Sequence, residues 1–175
     1  DLDKLAEIVR FITEHTHVRV LLDLIAGLPE EGFDRFGQSF DYVYSLRPYK
    51  IHLGFLKLLR GSKLREEADS FGCVYAQRAP YEVLETNSIS YTELSHLHII
   101  EDLVEKYVNS KRFDRSIDYL AGQFGSPFRF FDHFAYSWKD RGYQWLNHSL
   151  NGLYETLQEF YGKDYRLLKE YLRWD

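Results

Sequence analysis

Apolar residues at Leu5, Ile8, Val9 and Ile12 recur at helical spacing and predict an amphipathic first helix. The pattern then changes. Residues 17–25 (HVRVLLDLI) form a β-rich apolar run that ends at Ala26-Gly27 and predicts a strand. After Gly27-Leu28-Pro29, the set Phe33, Phe36, Phe40, Val43 and Tyr44 restores the helical period until Arg47-Pro48 stops it. Residues 50–58 (KIHLGFLKL) predict a second strand. Helix, strand, helix and strand in this order, with strands apolar on both faces, predict parallel β-structure flanked by helices. Two parallel strands make too little sheet to stand alone, so partner strands are expected either from residues 73–86 or from outside this chain.

Residues 62–71 (SKLREEADSF) predict a short charged helix ended by Gly72, and Cys73 to Thr86 an extended crossover or hairpin broken at Pro80. From Ser90 the chain turns helical. Ser90 to Glu93 is a capping box, followed by Leu94, Leu97, Ile100, Val104 and Val108 at helical spacing, and further helices are predicted near 114–124, 127–140 and 148–172. The expected division is an α/β part, residues 1–87, and a helical part, residues 88–175.

Composition narrows the function classes. Of 175 residues, 45% are hydrophobic and 17% aromatic, enough for one good core or a moderate core with a smaller helical unit. Twenty-two basic against 27 acidic residues give a formal charge of −5, and the basic residues are dispersed, which argues against a nucleic-acid partner. Cys73 is the single cysteine, so this chain alone builds no disulfide framework, zinc ribbon or cysteine-held cluster, and a reducing cytoplasm is expected. No run reads as a signal peptide or membrane span. The absence of methionine leads to the expectation of an excised or processed piece of a longer protein.

Asp23 interrupts an apolar strand near its C-terminal end. A buried carboxylate needs partners, and two readings stand open: an acceptor for a ligand hydroxyl, or an acceptor of backbone hydrogen bonds from the adjoining loop. Gly27-Leu28-Pro29 alone reads as a turn. His52 alternates with Gly54 and Leu56 on one strand face, with a satisfied core histidine as the competing reading. His96 and His98, two apart, do not share a helix face, and His15 and His17 flank the helix-to-strand junction as solvated polar ends, so neither pair reads as a metal site. Cys73 reads as a small buried hydrophobe. The stripe Phe124, Phe128, Phe130, Phe131, Phe134, Tyr136 and Trp138 reads first as core, with an excess expected to face a partner domain.

Taken together, Asp23-Leu-Ile-Ala-Gly-Leu-Pro-Glu30, the helix ending Leu46-Arg47-Pro48, and Ile51-His-Leu-Gly-Phe-Leu56 closing on Arg60-Gly61-Ser62-Lys63-Leu64 resemble strands five and six of a radical SAM barrel. Oxygen-independent coproporphyrinogen III oxidases have a similar pair. Pro80-Tyr-Glu-Val-Leu84, Ser90-Tyr91 and Glu101 to Phe113 resemble the uncharacterised helical domain that follows the barrel in bacterial radical SAM proteins with a cobalamin-binding domain.

The resemblance implies a partial radical SAM barrel, α/β and TIM-like, followed by a helical C-terminal domain. Its parent would be an iron–sulfur oxidoreductase or methyltransferase-like enzyme using S-adenosylmethionine, an iron–sulfur cluster and cobalamin, and the missing barrel and cobalamin domains would be this chain's partners. Cofactor-binding positions implied are Asp23 at the ribose, the Gly27, Leu28 and Pro29 loop, the backbone around Gly54 to Leu56 beside the adenine, and His52. It carries over no catalytic residue or metal ligand. Glu30 departs from the family's frequent glycine, and the cluster segment CxxxCxxC is absent, so this piece alone is expected to be catalytically inactive. A competing reading is a helical interaction or self-association module, with the exposed sheet edge favouring homo-oligomers. A complete small nucleotide-binding enzyme ranks last, since no phosphate-cradling glycine pattern is present.

Overall fold

A computed structural model describes residues 1–144 and 146–175 and divides the chain into two compact units, Asp1–His98 and Ile99–Asp175. The protein is mixed α/β and mostly helical, with one small parallel and one small antiparallel sheet.

The first unit opens with α1 (Leu2–His15), capped by the Asp1 side chain on the Lys4 amide. It buries Ala6 and Val9 against Leu46, Leu22 and Val20. Strand β1 (Leu21–Ala26), helix α2 (Phe33–Ser45) and strand β2 (Lys50–Phe55) follow, and the strands pair in parallel with Asp23 beside His52 and Ile25 beside Gly54. Both strands are shorter than their apolar runs. His17 to Val20 lies outside the strand, and the Val20 carbonyl accepts from Tyr49 and Lys50.

The sheet is two-stranded and is no closed barrel. Helix α2 buries Phe36, Phe40, Val43 and Tyr44, and Ile51 and Leu53 of β2 are buried. The opposite face is bare, carrying Leu21 at 58% and Ile25 at 45% exposure together with Asp23 and His52. The outer edge of β1 is open too. The Val20 and Ala26 carbonyls accept from Lys50 and Leu56, and the two-residue period turns the backbone groups of Leu22 and Leu24 the same way. Those of Leu21, Asp23 and Ile25 therefore face away from β2, where no strand of the described residues pairs with them.

The predicted helix over 62–71 divides into α3 (Lys63–Glu66), capped by Ser62, and a 3-10 turn (Ala68–Phe71) ended by Gly72. Gly72 has φ 59, a left-handed backbone that favours glycine, and a Cβ there would run into the Asn87 side chain. The expected hairpin is β3 (Val74–Tyr75) with β4 (Val83–Glu85), antiparallel and connected through a cis Ala79–Pro80 peptide. It joins the end of β2 through a Lys57–Glu82 bridge but adds no strand to the parallel sheet.

Helix α4 (Tyr91–Val104) starts at the predicted capping box: Glu93 Oε2 accepts from the Ser90 amide at 2.8 Å, and Ser90 Oγ accepts from the Glu93 amide at 3.3 Å. A π-helical turn (Glu105–Asn109) continues it and buries Tyr107, Val108 and Asn109. Helices α5 (Asp114–Gln123) and α6 (Pro127–Asp140) follow. The single helix expected over 148–172 is two, α7 (Leu150–Tyr161) and α8 (Leu168–Trp174), with the weak helix formers Gly162 and Asp164 between them. The break lets α8 bury Leu168 and brings Asp175 to the start of α5, where its carboxylate accepts from the Arg115 and Ser116 amides at 3.0 and 2.8 Å.

Aromatic rings fill the second unit. Phe130, Phe131, Phe134 and Trp138 of α6 are fully buried with Tyr107 and Phe113, and edge-on contacts such as Phe134–Trp138 at 5.7 Å join them. The expected aromatic excess for a partner domain reduces to Tyr136, the one exposed ring of that stripe. Among the described residues, no helix is long and apolar enough to cross a membrane.

Candidate functional site

The C-terminal ends of β1 and β2 gather the positions singled out from the sequence. Asp23 and His52 are register neighbours on the bare face, with Asp23 Oδ1 3.5 Å from His52 Nδ1 and side chains 72% and 67% exposed. The carboxylate is thus not buried in this chain. Its described partner is His52 rather than a backbone amide of the adjoining loop. His52 is likewise no core histidine; the parallel register sets it beside Asp23, and nothing described covers that face.

Gly27 ends β1 with φ 85 and is enclosed by Leu94, Val83 and Leu56, each 3.6–3.8 Å from where a Cβ would stand. Leu28 is exposed and Pro29 half-buried. The Glu31 amide donates to the Leu28 carbonyl at 3.2 Å, which closes a tight turn with proline second and Glu30 third at φ 63. That third position in a type II turn favours glycine. Glu30 therefore occupies a backbone shape for which its side chain is ill suited.

Gly54 and Leu56 are half-buried. The Leu56 backbone is fully engaged, its amide donating to Ala26 at 2.9 Å and its carbonyl accepting from Val83 at 2.8 Å. Leu56 is left with only its side chain for a ligand, whereas Gly54 lies on the face that carries Asp23 and His52. A cleft of about 270 Å³ runs along the β1 edge, lined by Asp23, Ile25, Leu28, Glu31, Phe36 and Ser39. Ser39 Oγ donates to Glu31 Oε1 at 3.2 Å across one wall. The cleft can accept hydrogen bonds from a hydroxylated guest and pack an apolar one.

A second pair was missed from sequence. His98 Nε2 lies 3.0 Å from Glu82 Oε1, and the His98 ring stacks on Phe55 at 3.5 Å between centroids. Weighing His98 only with His96 hid this, because Glu82 comes from β4's approach and Phe55 from the end of β2. His96 is buried and packs against Phe33 at 6.0 Å, so the two histidines do face different neighbours. Among the described residues, no three His, Cys, Asp or Glu side chains gather as a metal site. Cys73 is buried, which pushes its thiol up from the ordinary range and keeps it protonated.

Comparison with known families gives one finding. The family model described as "Protein of unknown function (DUF4080)" matches residues 69–175, which covers β3, β4 and all the helices from α4 onward. No curated protein matches the chain.

Proposed function

Because this chain belongs to DUF4080, a family of proteins of unknown function, we propose its role from its own residues: it is the C-terminal part of a radical SAM enzyme that also carries a cobalamin-binding domain. On this reading β1 and β2 with their helices are the last strand–helix units of the barrel, and the helices after β4 form a cap.

The observation that carries this reading is the bare face of the parallel sheet. Parallel strands are ordinarily covered on both faces and flanked by further strands. Here Leu21, Ile25, Asp23 and His52 stand uncovered on one face, and Leu21, Asp23 and Ile25 turn unpaired backbone groups outward. Further barrel strands would cover that surface and would set Asp23, His52 and Gly54 inside, at the end of the barrel where ligands bind. The resemblance of residues 23–64 to barrel strands five and six supports the same assignment.

In this arrangement Asp23 accepts from the ribose hydroxyls of S-adenosylmethionine, His52 orients the Asp23 carboxylate, and Gly54 leaves room for the adenine. When bound in the complete parent, S-adenosylmethionine and its iron–sulfur cluster supply radical chemistry. This chain holds no ligands for the cluster, since its one cysteine is buried, so cluster and cobalamin belong to the rest of the parent. Calorimetric titration of the purified chain with S-adenosylmethionine, beside an Asp23→Asn variant, tests the reading. Saturable heat that the variant loses is expected. No heat from either protein, together with no CxxxCxxC segment encoded upstream in the gene, would overturn it.

A second reading, as a self-association module, is favoured by the open β1 edge and by Leu2, Leu5, Ile8 and Phe11 of α1, all exposed. It calls for a mass that rises with concentration in sedimentation equilibrium; a constant monomer mass sinks it.

A further inference from the structure

Helices α7 and α8 of the second unit border a groove of about 470 Å³ that opens to solvent. Tyr154 and Leu172, both half-buried, supply its apolar floor. The rim is charged, and the charges are sorted by helix. Those of α7 are the acids Glu155 and Glu159, those of α8 the bases Lys169 and Arg173, and all four residues are exposed.

Two of these charges are already engaged: Glu159 pairs with Arg141 at 2.5 Å and Arg173 with Glu170 at 3.0 Å. Glu155 and Lys169 are not. Neither has an ion-pair partner among the described residues, although both line the same groove from opposite walls. One uncompensated charge of each sign therefore stands on either side of an apolar strip.

The walls limit what the guest is. Both are α-helical, so their backbone groups are largely spent within each helix and offer no edge to an extended peptide. A guest lying between them has to satisfy its own backbone, which an α-helix does. The spacing agrees: Glu155 with Glu159, and Lys169 with Arg173, are each about one helical turn apart and present charge in step with the ridges of a third helix. A small polar ligand is a poorer match, because small-molecule sites enclose their polar groups, and here the charged groups stand on the exposed rim.

We propose that the groove between α7 and α8 is the docking site for an amphipathic helix of a partner protein, its apolar stripe flanked by basic residues toward α7 and acidic residues toward α8. Burial of Tyr154 and Leu172 supplies the affinity. Exposed ion pairs add little to it, but they fix orientation and reject helices of a single charge sign. The groove lies within the residues that match the family model, and the proposal is independent of the radical SAM reading.

Fluorescence anisotropy of the purified chain with three labelled helical peptides tests this. Each peptide is about two heptads long with leucine at a and d. The first carries lysine along one flank and glutamate along the other, the second lysine on both flanks, and the third glutamate on both. The mixed peptide is expected to bind saturably and the other two roughly three- to tenfold more weakly. Lys169→Glu makes the free charges of both walls acidic and should transfer the preference to the lysine-flanked peptide; Glu155→Lys should transfer it to the glutamate-flanked one. Both positions are exposed, and circular dichroism checks that the variants keep the fold. Absence of saturable binding by the mixed peptide, or an order of preference that neither variant changes, overturns the proposal. Self-association of the chain that Lys169→Glu abolishes also overturns it, because a second copy then fills the groove.

Discussion

Replacing Glu30 by glycine is expected to stabilise the protein, although the substitution deletes a side chain and adds nothing. Glu30 sits at φ 63 in the third position of the turn after β1, where an L-residue costs roughly 1–2 kcal/mol. Glycine removes that cost but gives back roughly 0.5–1 kcal/mol, because its unfolded chain is freer. The Glu30 side chain is exposed, so little contact energy is lost with it. The net gain is about 0–1.5 kcal/mol, and with a urea slope of about 2 kcal/mol/M it raises the midpoint by up to about 0.8 M. Two controls isolate the backbone. Glu30→Ala removes the charge but keeps the Cβ, and should gain little. Glu31→Gly lies at the next position, where Glu31 Oε1 accepts from Ser39, and should lose stability. A lower midpoint in Glu30→Gly, or equal gains in Glu30→Gly and Glu30→Ala, would refute the reasoning.

Alkaline pH should weaken the second unit. Burial pushes the Tyr107 and Tyr161 phenols well above the ordinary range, so above about pH 10 the unfolded chain sheds protons that the folded chain keeps. Stability is then untouched below that pH and falls above it, by up to about 1.4 kcal/mol per pH unit for each tyrosine. Urea midpoints measured across pH 9–11 should show a shallower fall in Tyr161→Phe, and an unchanged slope would count against the account. Asp175→Ala should cost about 1 kcal/mol, the usual value of a helix cap, because both carboxylate oxygens accept from amides at the start of α5. Thermal denaturation reads this, and an unaltered melting temperature would show that the cap adds nothing.

Local signals in the sequence carried much of the fold. Ser90 and Glu93 announced the start of α4 because a capping box needs only residues three apart, and Gly72 announced the end of its turn for the same reason. The break between α7 and α8 escaped because hydrophobic spacing runs on through it; Asp175 ties the end of α8 to α5, far away in the sequence. The π-helical turn also escaped, since one extra residue in a turn leaves the apolar pattern at Val104 and Val108 intact. At the sheet, alternation placed Asp23 and His52 on strands, but their adjacency comes from the parallel register, which no local pattern encodes. Their exposure was not legible either. An apolar strand reads as buried whether or not its covering neighbours are present. The Glu82–His98 pair depends on packing between separate elements and left no periodic trace.

The open edge of β1 gives Asp23 a second duty. Leu21 to Ala26 offers a growing aggregate a ready row of outward backbone groups, and apart from Asp23 every side chain in that row is apolar. A charge in the middle of such a strand acts as a gatekeeper, since stacking a second chain on it in register would bring carboxylates together. Solubility and ligand recognition would then make demands on the same residue, so a variant that neutralises it has to be checked for dispersity before any lost binding is ascribed to a lost ligand contact.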